Sequence, residues 1–293
     1  MKARYLPALA VAAALLLATA AVRAEVLYTE KSLYRNIFVY EENGLRCMTF
    51  GRWGRQTCMS LSDRDYLVFD YTRMMMASLY LNPSPQRVLI IGLGGGTLPS
   101  TLAKMLPSAK IDTVEIDPAV VRVARKFFDF APGRQTAVFE EDGRVLVKRM
   151  LKRGTKYDLV MLDAFDDQYI PEHLLTREFL LEVKGVLAQR GVLAANTFSS
   201  SRLYDHESAT YYSVFGDFYR LKTSNRVILL RLGGLPEVGE LARNANRVED
   251  KLRPLGTGKD WLLPLFGVES GWPPNTRILT DQYSPSNLLN RTF

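Results

Sequence analysis

Three carboxylates fall within five residues in Asp163-Ala164-Phe165-Asp166-Asp167, at the end of a short apolar run. Like charges at that spacing repel unless a cation or a proton relieves them, and an amine or a sulfonium would do so. The alternative is a solvated acidic loop. The chemistry suited to such a cluster is deprotonation of an amine. An ammonium is not a nucleophile, so a positioned carboxylate must orient it and take a proton. Pro171 and His173 follow, and His173 reads as a surface or lid residue rather than a base.

Upstream, Gly92-Leu93-Gly94-Gly95-Gly96-Thr97 joins an apolar run to a helical one. A glycine turn there lets the backbone approach a ligand at the helix N-terminus. A tight turn alone needs one glycine rather than four. Thr97 stands where a dinucleotide fingerprint wants glycine, which turns the expected ligand away from a pyrophosphate and makes NAD-dependent oxidoreduction a weak reading. Glu115 lies about 20 residues further on, where a carboxylate can accept from both ribose hydroxyls. Asp117, before Pro118, reads as a helix N-cap. Asp142-Gly143 offers a second N-cap, an acceptor for an adenine amino group, or both. The candidate nucleoside set is therefore Gly92, Gly94, Gly95, Gly96, Glu115, Asp142 and Gly143.

The elements that must position these residues alternate. Val88–Ile91, Ile111–Ile116, Asp158–Leu162, Val192–Asn196 and Val227–Leu230 are continuous apolar runs of the buried parallel-strand type. Between them, residues 98–106, 118–128, 143–152 and 175–187 have helical length and pattern. That order predicts an α/β sheet with helices on both faces. Before the linker Asn82-Pro83-Ser84-Pro85, residues 26–60 read as short strands and 65–81 as a helix, with the three methionines Met74–Met76 as packing filler. Residues 233–293 are punctuated by Gly and Pro and resist placement. The division expected is 1–24 as signal or anchor, 25–84 as an N-terminal β-hairpin domain plus helix, and 85–293 as a Rossmann-like catalytic domain.

Composition narrows the class. The 293 residues are 47% hydrophobic and 24% charged, which excludes a disordered, collagen-like or coiled-coil chain. Two cysteines and two well-separated histidines give no metal motif, so none is expected. The net charge of +7 is spread without a basic run, which speaks against nucleic acid as a partner.

Val88 to Asp117, Asp142-Gly143, Asp163-Ala164-Phe165-Asp166 and Pro171 to Phe179 together resemble the spermidine synthase (polyamine aminopropyltransferase) family, in a branch with a Gly-Leu-Gly-Gly-Gly loop. The likeness runs from about Tyr34 to Asn196, with weaker similarity through Leu279–Pro285. It implies a Rossmann-like, S-adenosylmethionine-dependent transferase fold with a small N-terminal β domain. It also implies a decarboxylated S-adenosylmethionine or S-adenosylmethionine co-substrate, with no permanent cofactor. The activity implied is transfer of an aminopropyl group to a small-molecule amine. Residue by residue, Asp166 matches the family's catalytic aspartate, which takes the proton of the attacking amine, and Asp163 the preceding aspartate that helps hold it. Gln56 and Tyr71 fall on substrate-binding positions, and Asp167 is a further candidate. Gly95 stands where the family carries an aspartate for the aminopropyl amine, and Tyr71-Thr72-Arg73 replaces its Tyr-His-Glu. Arg73 is expected to repel a diamine. Two alternatives follow: a methyltransferase on the same fold, or a non-catalytic exported nucleoside- or polyamine-binding protein. A homodimer is the assembly considered, and the sequence does not fix the oligomeric state.

Lys2 and Arg4 precede an apolar run from Leu6 to Val22, with Val22-Arg23-Ala24 before Glu25. That pattern describes a secretory signal, or an uncleaved anchor through residues 5–22. The expected location is exported, either periplasmic or anchored to the outer side of the inner membrane, and removal of Lys2, Arg4 and Arg23 lowers the charge from +7 to +4. In the hairpin, a two-residue tip at Arg52-Trp53 makes cross-strand numbers sum to 105, which sets Cys47 opposite Cys58 as a hydrogen-bonded pair. A disulfide and two packed thiols are both compatible with that register.

Overall fold

A computed structural model describes residues 25–51, 54–165, 170–198 and 201–290. The chain opens as an antiparallel meander: β1 (Glu25–Lys31), β2 (Asn36–Glu42), β3 (Leu45–Phe50) and β4 (Arg55–Ser60). Alternate residues Ile37, Val39, Met48 and Met59 supply its buried face. Two short helices follow, α1 (Asp70–Met76) and α2 (Ser78–Leu81).

The second sheet is built from β5 (Arg87–Ile91), α3 (Thr97–Met105), β6 (Lys110–Glu115), α4 (Pro118–Phe127), β7 (Thr136–Glu140), α5 (Gly143–Lys152), β8 (Tyr157–Leu162), α6 (Arg177–Val186) and β9 (Leu187–Phe198). It continues through α7 (Leu203–Phe215), β10 (Tyr219–Lys222), β11 (Asn225–Arg231), α8 (Val238–Leu252) and β12 (Gly267–Val268). Its strand order is β12-β10-β11-β9-β8-β5-β6-β7. The pairs β5·β6, β6·β7, β5·β8 and β8·β9 are parallel, and β11, β10 and β12 add antiparallel strands at one side. From β5 the chain winds outward to β7 and then returns to β8 beside β5. That reversal makes the crevice beyond the ends of β5 and β8 the place where such sheets bind ligands.

Successive residues of each strand serve opposite faces. Val88, Ile90, Leu159 and Met161 meet α2, α3 and α8, while Leu89, Ile91, Val160 and Leu162 meet α5, α6 and α7. The small sheet is carried by α4, whose Ala119, Val120 and Val123 close over Ile37, Val39 and Met48.

Besides Val227–Leu230, read as parallel in type but lying in β11 antiparallel to β9, the structure departs from the sequence reading in three places. Residues 65–81 are not one helix of the N-terminal unit. Leu67 is held in a strand bridge to Met59 and donates its N–H to the Leu255 carbonyl, so helix begins only at Asp70. α1 and α2 pack into the core of the large sheet, and Met74, Met75 and Met76 are all fully buried there. Two further helices, α7 and α8, lie in segments given no helix. The third departure is in the hairpin. Leu45↔Ser60, Arg46↔Met59, Cys47↔Cys58 and Met48↔Thr57 keep the expected register, but Thr49 pairs with Arg55, which leaves Gln56 as the extra residue of a β-bulge. Cys47 and Cys58 form a disulfide with Cα atoms 4.1 Å apart, the close spacing of a non-hydrogen-bonded pair. Arg52 and Trp53, the expected tip, lie outside the described residues.

Candidate active site

The ends of β5 and β8 touch backbone to backbone. A Cβ on Gly92 would lie 2.1 Å from the Asp163 carbonyl oxygen, and Gly92 has φ +102°, so no larger residue fits there. Gly92 donates its N–H to Val114 O (2.9 Å), and Asp163 N donates to Ile91 O (2.8 Å). Gly94 and Gly96 also take positive φ, and Gly96 is the N-cap of α3 with the Phe130 ring packed where a side chain would go. At Gly95, Thr57 of β4 already fills the side-chain space, its Oγ1 lying 2.8 Å from where a Cβ would sit.

Glu115 ends β6. Its Oε2 accepts from Leu93 N (3.1 Å) and its Oε1 from Asp117 N (3.1 Å). Burial pushes its carboxyl up, and these backbone donors oppose the shift. Asp117 is the N-cap of α4, accepting from Ala119 N (2.9 Å) on one oxygen and from Ser32 Oγ (2.5 Å) on the other. The β1–β2 turn is thereby tied to the cavity wall. Asp142 caps α5 through Val145 N (3.0 Å), and its second oxygen contacts His173 Nε2 at 2.7 Å. That contact is the main reason its carboxyl is held below the usual range. Gly143 lets α5 approach β5, since a Cβ would meet Ile91 Cγ2 at 2.6 Å.

Asp163 follows β8. Its Oδ1 accepts from Asn196 Nδ2 (3.1 Å), and the Tyr71 hydroxyl of α1 also bonds it. Burial nevertheless pushes Asp163 up to about 7, with the nearby Glu115 charge adding to the rise. Tyr71 is raised well above its ordinary value, by burial first and then by the Asp163 charge. Asp163 therefore changes charge near neutral pH, and in its ionised form suits a cationic amine.

Gln56, Tyr71, Gly92, Gly94, Gly95, Glu115, Asp142, Gly143 and Asp163 line one cavity of about 250 Å³. Gly96 stands just behind it in the loop. Asp166 and Asp167 lie outside the described residues. The bulge that carries Gln56 also places it in an adjoining cavity of about 360 Å³, shared with Phe69, Tyr71 and Phe165 and walled by Asn196 and Asn225. Among the described residues no group of His, Cys, Asp and Glu could hold a metal ion. The segment after the acidic loop is anchored from behind. Arg144 donates to Glu182 (2.8 Å), Asp281 (2.7 Å) and His173 O (3.3 Å), and Asn287 bonds both the N–H and C=O of Ile170 (2.9 and 3.1 Å).

One expectation needs correction. Arg73 does not face the cleft. Its guanidinium donates to Leu67 O (2.6 Å), pairs with Asp70 (3.3 Å) and lies over the Tyr66 ring (4.7 Å), so its charge is spent in the core rim and poses no barrier to a cation in the cavity. His173 takes the lid side of its expected reading, half-exposed and lining the cavity on Asp142. Thr57, Phe69 and Asn196 were missed. Asn196 had a signal: it is the polar residue ending an apolar strand next to the one that delivers Asp163.

Asp163 has a measurable signature. An aspartate near 3.9 when unfolded and near 7 when folded binds more protons in the native state between those limits. Stability therefore falls as pH rises through that window. In thermal unfolding of the ligand-free protein, Asp163→Asn is expected to gain Tm relative to wild type more at pH 8 than at pH 5. A gap that does not change with pH contradicts the elevated carboxyl.

Comparison with known proteins agrees with this geometry. Residues 68–228 match the spermine/spermidine synthase domain. A polyamine aminopropyltransferase of Vibrio vulnificus is 47% identical over 272 residues, spanning 90% of this chain and 91% of that protein. A spermidine synthase crystallised with the transition-state analogue AdoDATO superposes with TM-score 0.63 at 20% identity, covering 85% of this chain and 86% of that one. Human methyltransferase-like protein 13, solved with SAH, superposes with TM-score 0.59 at 27% identity over 71% of this chain and 96% of that one. The cavity at the switch point, the glycine loop beside it and these likenesses agree: the chain belongs to the spermine/spermidine synthase family.

Proposed function

We propose that the protein transfers an aminopropyl group from decarboxylated S-adenosylmethionine to a small-molecule amine. The observation that carries the reading is the single cavity in which Glu115, the glycine loop and Asp163 meet. Glu115 suits the ribose hydroxyls, since both its oxygens are fixed by backbone donors while its edge lines the cavity. The side chain of Asp142 suits the adenine edge. The sulfonium then lies toward Asp163, where an anion is favoured by a cation and a cation by an anion. The amine nitrogen attacks the methylene carbon bonded to sulfur. The new C–N bond forms as the C–S bond breaks, and its electron pair returns to sulfur to give a neutral thioether nucleoside. The nitrogen gives up one proton to a carboxylate. Asp166 takes that proton and Asp163, with Tyr71 and Gln56, holds the amine in line.

One observation favours a second reading. Thr57 fills the space beside Gly95, so that position of the glycine loop contributes no carboxylate for an aminopropyl ammonium. A methyltransferase would need none, and would use the same sulfonium with intact S-adenosylmethionine.

We also propose that the mature protein works outside the cytoplasm. The basic start, the apolar run to Val22 and the Cys47–Cys58 bridge support this. Residues 1–24 lie outside the described residues, and among those described no helix is long and apolar enough to cross a membrane.

The test of activity is mass-resolved turnover with each donor and a diamine. The expected products are an aminopropylated amine and methylthioadenosine from the decarboxylated donor. Asp166→Asn should keep donor affinity and lose turnover by a factor of 10² or more, since a positioned acid–base group typically contributes about 10²–10⁴-fold. Methyl transfer from the intact donor would overturn the reading in favour of the second, and donor binding without any transfer would leave a binding protein. For location, fractionation should find the protein outside the cytosol, and alkylation without reductant should find no free thiol. Full-length protein in the cytosol with two alkylated thiols refutes export.

A further inference from the structure

Asp163 is reached from its far side by a line of side chains that starts on β11. Asn196 Nδ2 donates to Asp163 Oδ1 (3.1 Å), Asn225 Nδ2 donates to Asn196 Oδ1 (3.1 Å), and Ser224 Oγ donates to Asn225 Oδ1 (3.4 Å). The antiparallel pairing of β9 with β11 sets Asn225 opposite Phe198 and Asn196 opposite Val227, so the two asparagines are diagonal neighbours at the sheet end.

A side-chain amide donates at one end and accepts at the other. Asn196 taken alone could turn either end to Asp163. Its N–H stabilises the ionised carboxylate, whereas its carbonyl oxygen would stabilise only the protonated form. With its Oδ1 accepting from Asn225, its N–H is the end turned to Asp163. Among the described residues, the other titratable groups facing Asp163 are Tyr71 from α1 and Glu115 from β6, and Tyr34, Arg35, Asp117, Asp142 and His173 line the same cavity.

We propose that Asn225 is a positioning residue: by donating to Asn196 Oδ1 it locks the Asn196 amide with its N–H toward Asp163, and so sets the pH range in which Asp163 is ionised to receive the amine. This rests on the reading that Asp163 works on the acceptor amine. Asn225 also walls the adjoining cavity, so a direct role in holding the acceptor must be separated from a role through Asn196.

The separation comes from titrating Asp163 in the ligand-free protein, by NMR with carboxyl-labelled aspartate, its signal assigned by loss in Asp163→Asn. In Asn225→Ala the midpoint should rise by about one unit. Asn225→Asp should raise it more, because a carboxylate there can only accept and turns the Asn196 amide around, and its charge adds to the rise. Asn225→Gln keeps the N–H donor and should return the midpoint toward wild type. The acid limb of kcat/KM should move by the same amounts, with kcat/KM at pH 7 falling about fivefold in Asn225→Ala and recovering above pH 9. An Asp163 midpoint unchanged in Asn225→Ala overturns the proposal, including where KM for the acceptor rises alone. A midpoint that moves as expected in a protein that performs no amine transfer supports the positioning role and sinks the proposed reaction instead.

Discussion

The contact on which the site depends is between two backbones. Gly92 and the Asp163 carbonyl lie so close that a single Cβ would sit 2.1 Å from that oxygen. This closeness is possible only at glycine, and it locks the ligand-binding loop of β5 against the acidic end of β8. The parallel pairing of Ile91 with Leu162 just beneath fixes the register of the two ends. From there the rest follows. Gly143 draws α5 in against Ile91, which brings Asp142 to the rim, and Asp117 caps α4 while gripping Ser32 of the small sheet. The small sheet closes the site by placing Thr57 against Gly95 and the Gln56 bulge beside Tyr71.

The cavity's charges are held in unequal states. Glu115 and Asp163 are both raised by burial, and the Glu115 charge adds to the rise at Asp163, whereas Asp142 is held low by His173. Two reluctant carboxylates in one cavity favour a cation, which is the charge that a sulfonium or an ammonium carries. Arg73, the residue whose sign argued against such a ligand, is turned into the core rim and paired with Asp70.

The parallel centre of the large sheet was legible because β5, β8 and β9 carry apolar runs and its loops carry glycine or Asp-Gly where they meet the ligand, whereas β10, Tyr219–Lys222, alternates with charge and was not read. The site residues on those strand ends were legible for the same reason. The residues that came from elsewhere were not. α7 hid its helical pattern because Glu207 is buried against Arg226, a pair 2.9 Å apart that puts charged residues on a core face. α8 carried a readable stripe of Leu241, Ala245, Val248 and Leu252 that the Gly/Pro-rich surroundings masked. Arg73 was misplaced because sequence shows a residue's charge but not the face of a seven-residue helix that it leaves. The Cys47–Cys58 alignment was read from the hairpin count, yet the bulge at Gln56, which aims that side chain into the cavity, has no mark in the sequence.

The most direct measurement is a crystal structure of the protein with methylthioadenosine, the thioether nucleoside that aminopropyl transfer would leave behind. The account predicts the ribose hydroxyls on the Glu115 carboxylate, the adenine edge at Asp142 and the sulfur turned toward Asp163. A nucleoside bound outside this cavity, or within it with the ribose away from Glu115 and the sulfur away from Asp163, would contradict it.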